Sequence, residues 1–186
     1  MEITARPATE VTENCLDFLT RPMIRPTGFR EYDARWRYPE EVNLVGVQAL
    51  GLGLATQLHE AGLPATVVVG NDYRSYSLAI KQALMLGLMA GGAEVRDIGV
   101  ALSPMAYFAQ FDLDAQAVAM VTASHNPNGW TGVKIGMDRP LTHGPAEMGR
   151  LKEIVMEGRG ALRQGGRYLP APGVMERYVA DLVGDF

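Results

Sequence analysis

Residues 122–134, Thr-Ala-Ser-His-Asn-Pro-Asn-Gly-Trp-Thr-Gly-Val-Lys, decide the fold because one apolar strand leads into them and a second strand begins at their end. The preceding run, 115–121 (AQAVAMV), is rich in small and β-branched residues, which is typical of a buried strand. Pro127 disfavours a helix at the residue before it, so the segment is a loop. We therefore expect Ser124 and His125 at the end of a rigid strand, where open α/β sheets bind their ligands.

The second half of this loop contains two glycines, Gly129 and Gly132, that let the backbone turn sharply and approach a ligand closely. Strand alternation resumes at 133–135, which places Lys134 on the face opposite its apolar neighbours. A Ser-His pair in a polar turn is most often a solvated turn, and adjacency does not make the two residues a catalytic pair. The residue types alone leave the role of the pair open.

Strands and helices alternate along the rest of the chain, and Asn43 is the clearest helix cap among them. We predict strands at 29–35, 65–69, 93–99, 115–121 and 133–135. We predict helices at 44–61, 76–90, 103–110, 145–157 and, near the end, 176–183. This order predicts a three-layer α/β/α sandwich with a largely parallel sheet.

The composition limits the class of protein. The chain has 186 residues, 47% of them hydrophobic, which suits one domain with a sizeable core, or one domain plus a tail. A net charge of −4 without blocks of like charge points away from nucleic acid and anionic membrane surfaces. The single cysteine, Cys15, fits a reducing cytoplasm, and no apolar run approaches the roughly 20 residues that span a bilayer.

The hexapeptide TASHNP at 122–127, followed by the GxK at 132–134, resembles the phosphoserine loop of the α-D-phosphohexomutases, the phosphomannomutase/phosphoglucomutase family. The resemblance implies that Ser124 carries a phosphoryl group, through which it also contacts Mg²⁺, with Thr122 and Asn126 beside it as substrate-binding residues. It implies that His125 or Lys134 moves the proton of a sugar hydroxyl, and it does not choose between them.

Two further segments extend the resemblance. FREYDAR at 29–35 is similar to a family segment whose tyrosine and second arginine face the active site. The resemblance implies that Tyr32 binds substrate and that Arg35, like Lys134, is a catalytic residue that spreads transition-state charge. The family usually has glycine after this arginine, whereas this chain has Trp36, so we expect altered local geometry. GNDYR at 70–74 resembles the family pattern G-x-D-x-R, which implies that Asp72 and Arg74 shape the floor of the site.

The family also implies a domain organisation and a set of partners. Residues 1–28 are expected to form an N-terminal arm, 29–168 domain I with a mixed, mostly parallel four-stranded sheet, and 169–186 a connection and the start of domain II. The expected partners are hexose phosphates and the remaining mutase domains, with glucose or mannose 1,6-bisphosphate as activator. No D-x-D-x-D-R metal loop occurs in the sequence, so most Mg²⁺ ligands are expected outside this chain, and the isolated chain is expected to be inactive.

Two other classes of function compete with this interpretation. An isolated domain of this kind can bind phosphate or a partner without turnover, and the missing metal loop favours that alternative. A serine hydrolase would use Ser124 with His125 or His143, but the sequence lacks a Gly-x-Ser-x-Gly elbow. The choice among mannose, glucose and glucosamine phosphates stays open.

Overall fold

The computed structural model describes residues 6–13 and 15–184, and it forms an α/β/α sandwich around one mixed sheet. Its strands are β1 (Ala34–Arg37), β2 (Thr66–Asn71), β3 (Glu94–Val100), β4 (Ala117–Val121), β5 (Trp130–Gly136) and β6 (Arg167–Pro170). Its helices are α1 (Leu16–Thr20), α2 (Leu44–Glu60), α3 (Ser77–Ala90), α4 (Ser103–Asp112), α5 (Pro145–Met156) and α6 (Val174–Gly184), with a 3₁₀ turn at Pro26–Gly28. The remaining residues of the predicted arm and tail, 1–5, 14, 185 and 186, lie outside the described part.

The strand order is β1-β5-β4-β2-β3-β6, and only the contacts of β5 are antiparallel. The predicted mixed, mostly parallel sheet is therefore confirmed, but the predicted count of four strands is wrong because the sheet has six. The short first strand is also shifted along the chain. Residues 30–33 form a turn closed by the Arg30 N–H and the Asp33 carbonyl (2.9 Å), so the strand begins only at Ala34.

Alternation within the buried strands builds two layers of core. On β2, Val67 and Val69 pack with α2, α3 and α5 on one face of the sheet, whereas Val68 packs with α4 on the other. β4 is buried on both faces, as its continuous apolar sequence predicts. The central strands are thereby fixed from both sides, which makes the loops at their carboxyl ends a rigid base for a site.

Glycines in both α2 and α3 permit a close approach of the two helices. A methyl group on Gly51 would collide with the carbonyl oxygen of Leu84, and one on Gly87 would collide with that of Gln48. Glycine in a helix interior costs about 1 kcal/mol relative to alanine. Here the backbone contact between the two helices offsets that cost.

Asn43 ties the N-terminal arm to the start of α2. Its side-chain oxygen accepts the N–H groups of Gly46 (2.7 Å) and Met23 (3.0 Å), and its amide donates to the carbonyls of Phe18 and Arg21 (both 2.8 Å). The predicted helix cap is confirmed, and the same side chain also holds the arm. No helix in the described part of the chain combines the length and apolar character needed to cross a membrane.

Candidate active site

Ser124 lies just beyond the carboxyl end of β4, in a backbone conformation that serine rarely adopts. Its φ is +55°, in the left-handed region, and Gly129 further along the loop has φ +88°. The Thr122 N–H donates to the Gly132 carbonyl at 3.0 Å, which extends the pairing of β4 and β5 up to the serine. Residues with such strained φ values cluster at functional sites, where the surroundings hold them in place.

Ser124 faces a cleft of about 640 Å³ at the carboxyl ends of β2, β3 and β4. The polar part of its wall consists of Asp72, Arg74, Ser103, Thr122, Ser124, His125 and Lys134. The remaining wall consists of Tyr73, Val100, Ala101, Leu102, Pro104, Met105, Met120 and Met175. The position beyond the carboxyl ends of parallel strands is the usual ligand site of this sheet architecture.

A hydrogen-bonded chain connects the Ser124 backbone to Asp72. The Ser124 N–H donates to the Thr122 hydroxyl oxygen at 2.9 Å, and the Thr122 hydroxyl in turn bonds to the Asp72 carboxylate. Asp72 also accepts from the Ser77 hydroxyl (2.5 Å) and from the Arg74 N–H (3.2 Å). Burial raises the pKa of Asp72, but these hydrogen bonds and the Arg74 charge outweigh it, so the net pKa lies below its ordinary value. Asp72 is therefore a fixed, ionised acceptor.

The Arg74 side chain holds the serine loop from the β2–α3 side. Its guanidinium forms an ion pair with Asp72 and donates to the Asn126 carbonyl at 2.5 Å, with a longer contact to the Ser124 carbonyl at 3.4 Å. The side chain is 8% exposed, so these bonds are made in a mostly water-free environment. The Arg74 guanidinium thereby fixes the backbone carbonyls of both Ser124 and Asn126.

Arg35 holds the same loop from the β1 side. Its guanidinium donates to the side-chain oxygen of Asn126 and to Asp33, the latter at 3.0 Å through Nε. Trp36, the residue that departs from the family pattern, points to the opposite face of β1 and is 1% exposed. Its indole N–H donates to the Arg25 carbonyl at 2.8 Å. The tryptophan anchors β1 in the core, and Arg35 remains free to reach the loop.

The structure brings together most of the predicted site residues. Six of the nine line the cleft: Asp72, Arg74, Thr122, Ser124, His125 and Lys134. Arg35 and Asn126 bond to each other beside the loop without lining the cleft. Tyr32 is 65% exposed and is not part of the wall. Their chemical roles stay predictions.

Sequence reasoning missed the clamp that Tyr76 forms on the second half of the loop. Its hydroxyl accepts the Gly129 N–H at 2.9 Å and donates to the Trp130 carbonyl at 2.9 Å. Tyr76 immediately precedes α3, and the sequence alone indicates only that a helix begins near it. The available signal was its position at the end of the loop that follows β2, directly before α3, because loops at the carboxyl ends of neighbouring strands lie close together.

The described residues do not form a metal site by themselves. Within residues 6–13 and 15–184, no three His, Cys, Asp or Glu side chains lie close enough to hold an ion. Asp72, the carboxylate in the cleft, already bonds to Ser77, Thr122 and Arg74. A hard cation such as Mg²⁺ prefers about six oxygen ligands, and these residues offer too few of them.

The arrangement of the histidines does not resemble a serine hydrolase. His143 is 1% exposed, bonds through Nε2 to the Gln57 side-chain oxygen at 3.0 Å, and lines a different cavity from Ser124. His143 is therefore unavailable as a base for the serine. His125 lies in the cleft, but among the described contacts it forms no hydrogen bond with the Ser124 hydroxyl.

Comparison with known proteins agrees with this geometry. A family model described as phosphoglucomutase/phosphomannomutase, alpha/beta/alpha domain I, matches residues 26–160. A protein from Xanthomonas campestris pv. campestris (strain B100) named as phosphohexose mutases is 42% identical over 116 residues, covering 61% of this chain and 25% of its own length. A phosphomannomutase from Salmonella typhimurium (strain LT2) is 36% identical over 152 residues, covering 76% of this chain and 32% of its own length.

A solved structure shows the same fold. A phosphoglucomutase/phosphomannomutase family protein from Burkholderia thailandensis superposes with a TM-score of 0.79 at 26% identity, over 88% of this chain and 36% of that one. The chain thus spans between a quarter and about a third of the length of these relatives. The matched region contains the whole of the cleft wall except Met175. The chain belongs to the phosphoglucomutase/phosphomannomutase family, of which it contains the α/β/α domain I.

Proposed function

We propose that this chain is the phosphoserine-bearing first domain of a phosphohexomutase that interconverts hexose 1-phosphate and hexose 6-phosphate, with mannose or glucose as the sugar. The observation that carries the proposal is Ser124 itself. It has φ +55° at the carboxyl end of a buried strand, and its side chain opens onto a cleft of about 640 Å³ that Lys134 and His125 also line. A fixed nucleophile with a lysine and a histidine beside it suits transfer of a phosphoryl group.

The proposed reaction consists of two transfers through Ser124. In the first, the bond from phosphorus to the Ser124 oxygen breaks, a free hydroxyl oxygen of the sugar phosphate bonds to phosphorus, and a bisphosphorylated sugar results. The hydroxyl proton passes to His125 or Lys134. In the second, the sugar has turned over in the site, its other phosphoryl group returns to the Ser124 oxygen, and the proton returns to the sugar oxygen. A covalent carrier divides one difficult transfer into two easier ones.

The surrounding cations have distinct tasks in this proposal. Lys134 lines the cleft, and if His125 takes the proton, Lys134 stays charged and spreads the negative charge that develops on the transferring group. Arg35 and Arg74 both bond to Asn126, one through its side chain and one through its carbonyl, so they keep the loop in position. Fixed positioning of this kind can supply several kcal/mol of a reaction barrier.

Mg²⁺ and a bisphosphorylated activator belong to the complete enzyme in this proposal. This chain would contribute the phosphate on Ser124 as one ligand of the ion, and the carboxylate ligands would come from a second domain. Mg²⁺ would neutralise phosphoryl charge once bound. Glucose or mannose 1,6-bisphosphate would load the serine at the start. The remaining domains would also bind the distal phosphate of the sugar.

The test joins this chain to the remaining domains of a relative. Residues 1–186 replace the matching N-terminal region of the Salmonella typhimurium phosphomannomutase, to which the chain is 36% identical. We expect the chimera to turn over mannose or glucose 1-phosphate in the presence of Mg²⁺, and phosphopeptide mapping to place phosphate on Ser124. The isolated chain should fold cooperatively and show no turnover. Phosphate on a different residue of a folded chimera would overturn Ser124 as the carrier, and a folded chimera with neither phosphate nor turnover would instead support a non-catalytic binding domain.

A further inference from the structure

A buried ion pair joins α3 to β3, and no step proposed for the Ser124 cleft uses it. The Lys81 ammonium lies 2.7 Å from Asp97 Oδ1, and the two side chains are 3% and 11% exposed. Burying two charges costs so much solvation that apolar residues of similar volume often stabilise a core as well as an ion pair does. Net stability alone therefore does not explain this pair, and the other hydrogen bonds of Asp97 indicate a second role.

Asp97 uses the same oxygen to fix an irregular turn of its own strand. Oδ1 also accepts the Gly99 N–H at 2.9 Å, and Gly99 has φ +76°, in the left-handed region that glycine adopts without steric cost. Asp97 and Gly99 lie opposite consecutive residues of β2, which leaves Ile98 as an extra residue of β3. This one-residue insertion is a β-bulge, and the carboxylate that caps it is held in place by Lys81.

The bulge determines how the chain enters the wall of the Ser124 cleft. An extra residue in a strand moves the side chains that follow it to the opposite face of the sheet. Directly after the bulge, the Ala101 N–H donates to the Asn71 carbonyl at 2.9 Å, and residues 100–105 form one side of the cleft. These residues include Ser103, at the start of α4. Bulges beside functional sites commonly re-aim side chains in this way.

Asp97 also connects β6 to the same side of the cleft. Its second carboxylate oxygen, Oδ2, accepts the Tyr168 hydroxyl at 3.2 Å, and its backbone carbonyl accepts the Ala171 N–H at 2.8 Å. Met175, which also lines the cleft, follows four residues after Ala171. Two segments of the wall therefore begin close to this one aspartate.

We propose that Lys81 and Asp97 are positioning residues for the cleft wall at 100–105, against which the hexose phosphate binds. Asp97 fixes the bulge through the Gly99 N–H, and Lys81 fixes the Asp97 carboxylate. Neither of the two side chains lines the cleft, so both act through the backbone of β3. The inference rests on the proposed mutase function for its substrate, and it assigns to this pair the substrate affinity of the site and not the transfer at Ser124.

Two double variants remove both charges and differ in one acceptor. Lys81→Met/Asp97→Asn keeps a side-chain oxygen for the Gly99 N–H, whereas Lys81→Met/Asp97→Leu offers only apolar atoms of similar volume. Neither leaves a buried charge unpaired, so both should fold. In the 186-residue chain, NMR should show Gly99 amide exchange at least about tenfold faster in the Leu variant than in the Asn variant, with shifted amide signals at 100–105.

Steady-state kinetics of the chimera measure the effect on the substrate. Loss of contacts that bind the ground state and the transition state equally raises KM and leaves kcat unchanged. With mannose or glucose 1-phosphate, the Leu variant should raise KM about tenfold or more while kcat stays within about threefold of the parent, and the Asn variant should restore KM. Glu94→Gln removes a buried carboxylate charge at the other end of β3, so it is the matched control and should keep the KM of the parent.

Gly99→Ala tests the bulge without altering the ion pair. A methyl group at this position meets no atom within 4 Å, so it only strains the left-handed backbone, and it should also raise KM. Equal Gly99 exchange in the two double variants, a KM that neither the Leu variant nor Gly99→Ala raises, or a fall in kcat as large as the rise in KM would each overturn the proposal. A parent chimera without turnover would contradict the mutase function instead, and the NMR signals of Gly99 and 100–105 would still decide whether the pair positions the wall.

Discussion

The Thr122 hydroxyl accepts the backbone N–H of Ser124 at 2.9 Å, across a turn in which Ser124 has φ +55°. The left-handed conformation costs roughly 1–2 kcal/mol for a residue with a side chain. Because the same hydroxyl also bonds to the buried Asp72 carboxylate, the turn is anchored in the loop between β2 and α3. The position of Ser124, the proposed nucleophile, therefore depends on Thr122 and, through it, on Asp72 in the loop after β2.

Removing the Thr122 hydroxyl should loosen the serine turn. In Thr122→Val, the Ser124 N–H and the Asp72 carboxylate each lose a partner, which should cost about 1–3 kcal/mol in the free energy of unfolding. Misplacement of the serine should also lower phosphate incorporation in the chimera at least about tenfold. Urea unfolding and intact mass measure the two effects. Thr122→Ser keeps the hydroxyl as control, and equal behaviour of Val and Ser variants would contradict the anchoring role.

Replacing Ser124 by glycine should stabilise the chain while abolishing its chemistry. Glycine adopts φ +55° without steric cost, so Ser124→Gly should gain about 1 kcal/mol over Ser124→Ala, which loses the same hydroxyl but keeps the strain. Neither variant should carry phosphate or support turnover in the chimera. Urea unfolding compares the pair. Equal stability of the two variants would show that the turn is not strained, and phosphate on either would place the acceptor elsewhere.

Lys134 should contribute more to turnover than an exposed lysine on a helix. Its side chain lines the cleft with Ser124, so Lys134→Ala should lower the turnover of the chimera by about 100-fold through loss of charge stabilisation or proton transfer. Lys152→Ala, on the exposed side of α5, is the matched control and should have little effect. A steady-state assay checks both variants. Rates like those of the parent for Lys134→Ala would remove this residue from the site.

His125 provides the complementary measurement. It is exposed at the edge of the same cleft, and the proposed chemistry leaves the proton carrier open between it and Lys134. If His125 carries the proton, His125→Ala should lower turnover by about 100-fold or more. The steady-state assay in the chimera decides the matter. A normal rate for this variant would assign proton transfer to Lys134.

The sequence predicted the part of the fold that depends on local pattern. The continuous apolar run before Thr122 predicted β4, because a strand buried on both faces is apolar throughout. Asn43 predicted the start of α2, because a helix cap is recognised from a few neighbouring residues. The place of Asp72 and Arg74 was implied by the resemblance of residues 70–74 to a family segment, and both residues line the cleft with Ser124.

The missed features depend on partners distant in sequence. β6 consists of four exposed residues, so it has no apolar alternation to reveal it. It pairs in parallel with β3, and the Arg167–Glu94 ion pair and the hydrogen bond from the Tyr168 hydroxyl to Asp97 (3.2 Å) accompany this pairing. The clamp by Tyr76 likewise joins residues more than fifty positions apart. The periodicity of one segment carries no information about its contacts with residues distant in sequence.

Acid should destabilise the chain first through His143 and then, at lower pH, through carboxylates with lowered pKa values. The His143 pKa is lowered from 6.5 to about 4, mainly by burial, so between these values the unfolded chain binds a proton that the folded chain does not. Stability should therefore fall as the pH drops from 6.5 to 4, by about 3 kcal/mol in total. The lowered pKa values of Asp72 and Glu94 act at lower pH, because their contributions are lost only as the pH falls below 3.8 and 4.5, respectively.

His143→Gln isolates the first of these contributions. Its amide can still donate to the Gln57 oxygen, but it does not titrate, so the loss of stability between pH 6.5 and 4 should largely disappear. Glu147 is the charged group that faces the ring, and since its charge raises the His143 pKa, Glu147→Gln should shift the window to lower pH. Urea midpoints measured across this range check both variants. An unchanged pH dependence in His143→Gln would show that another group causes the acid sensitivity, because a side chain without a proton to gain cannot produce it.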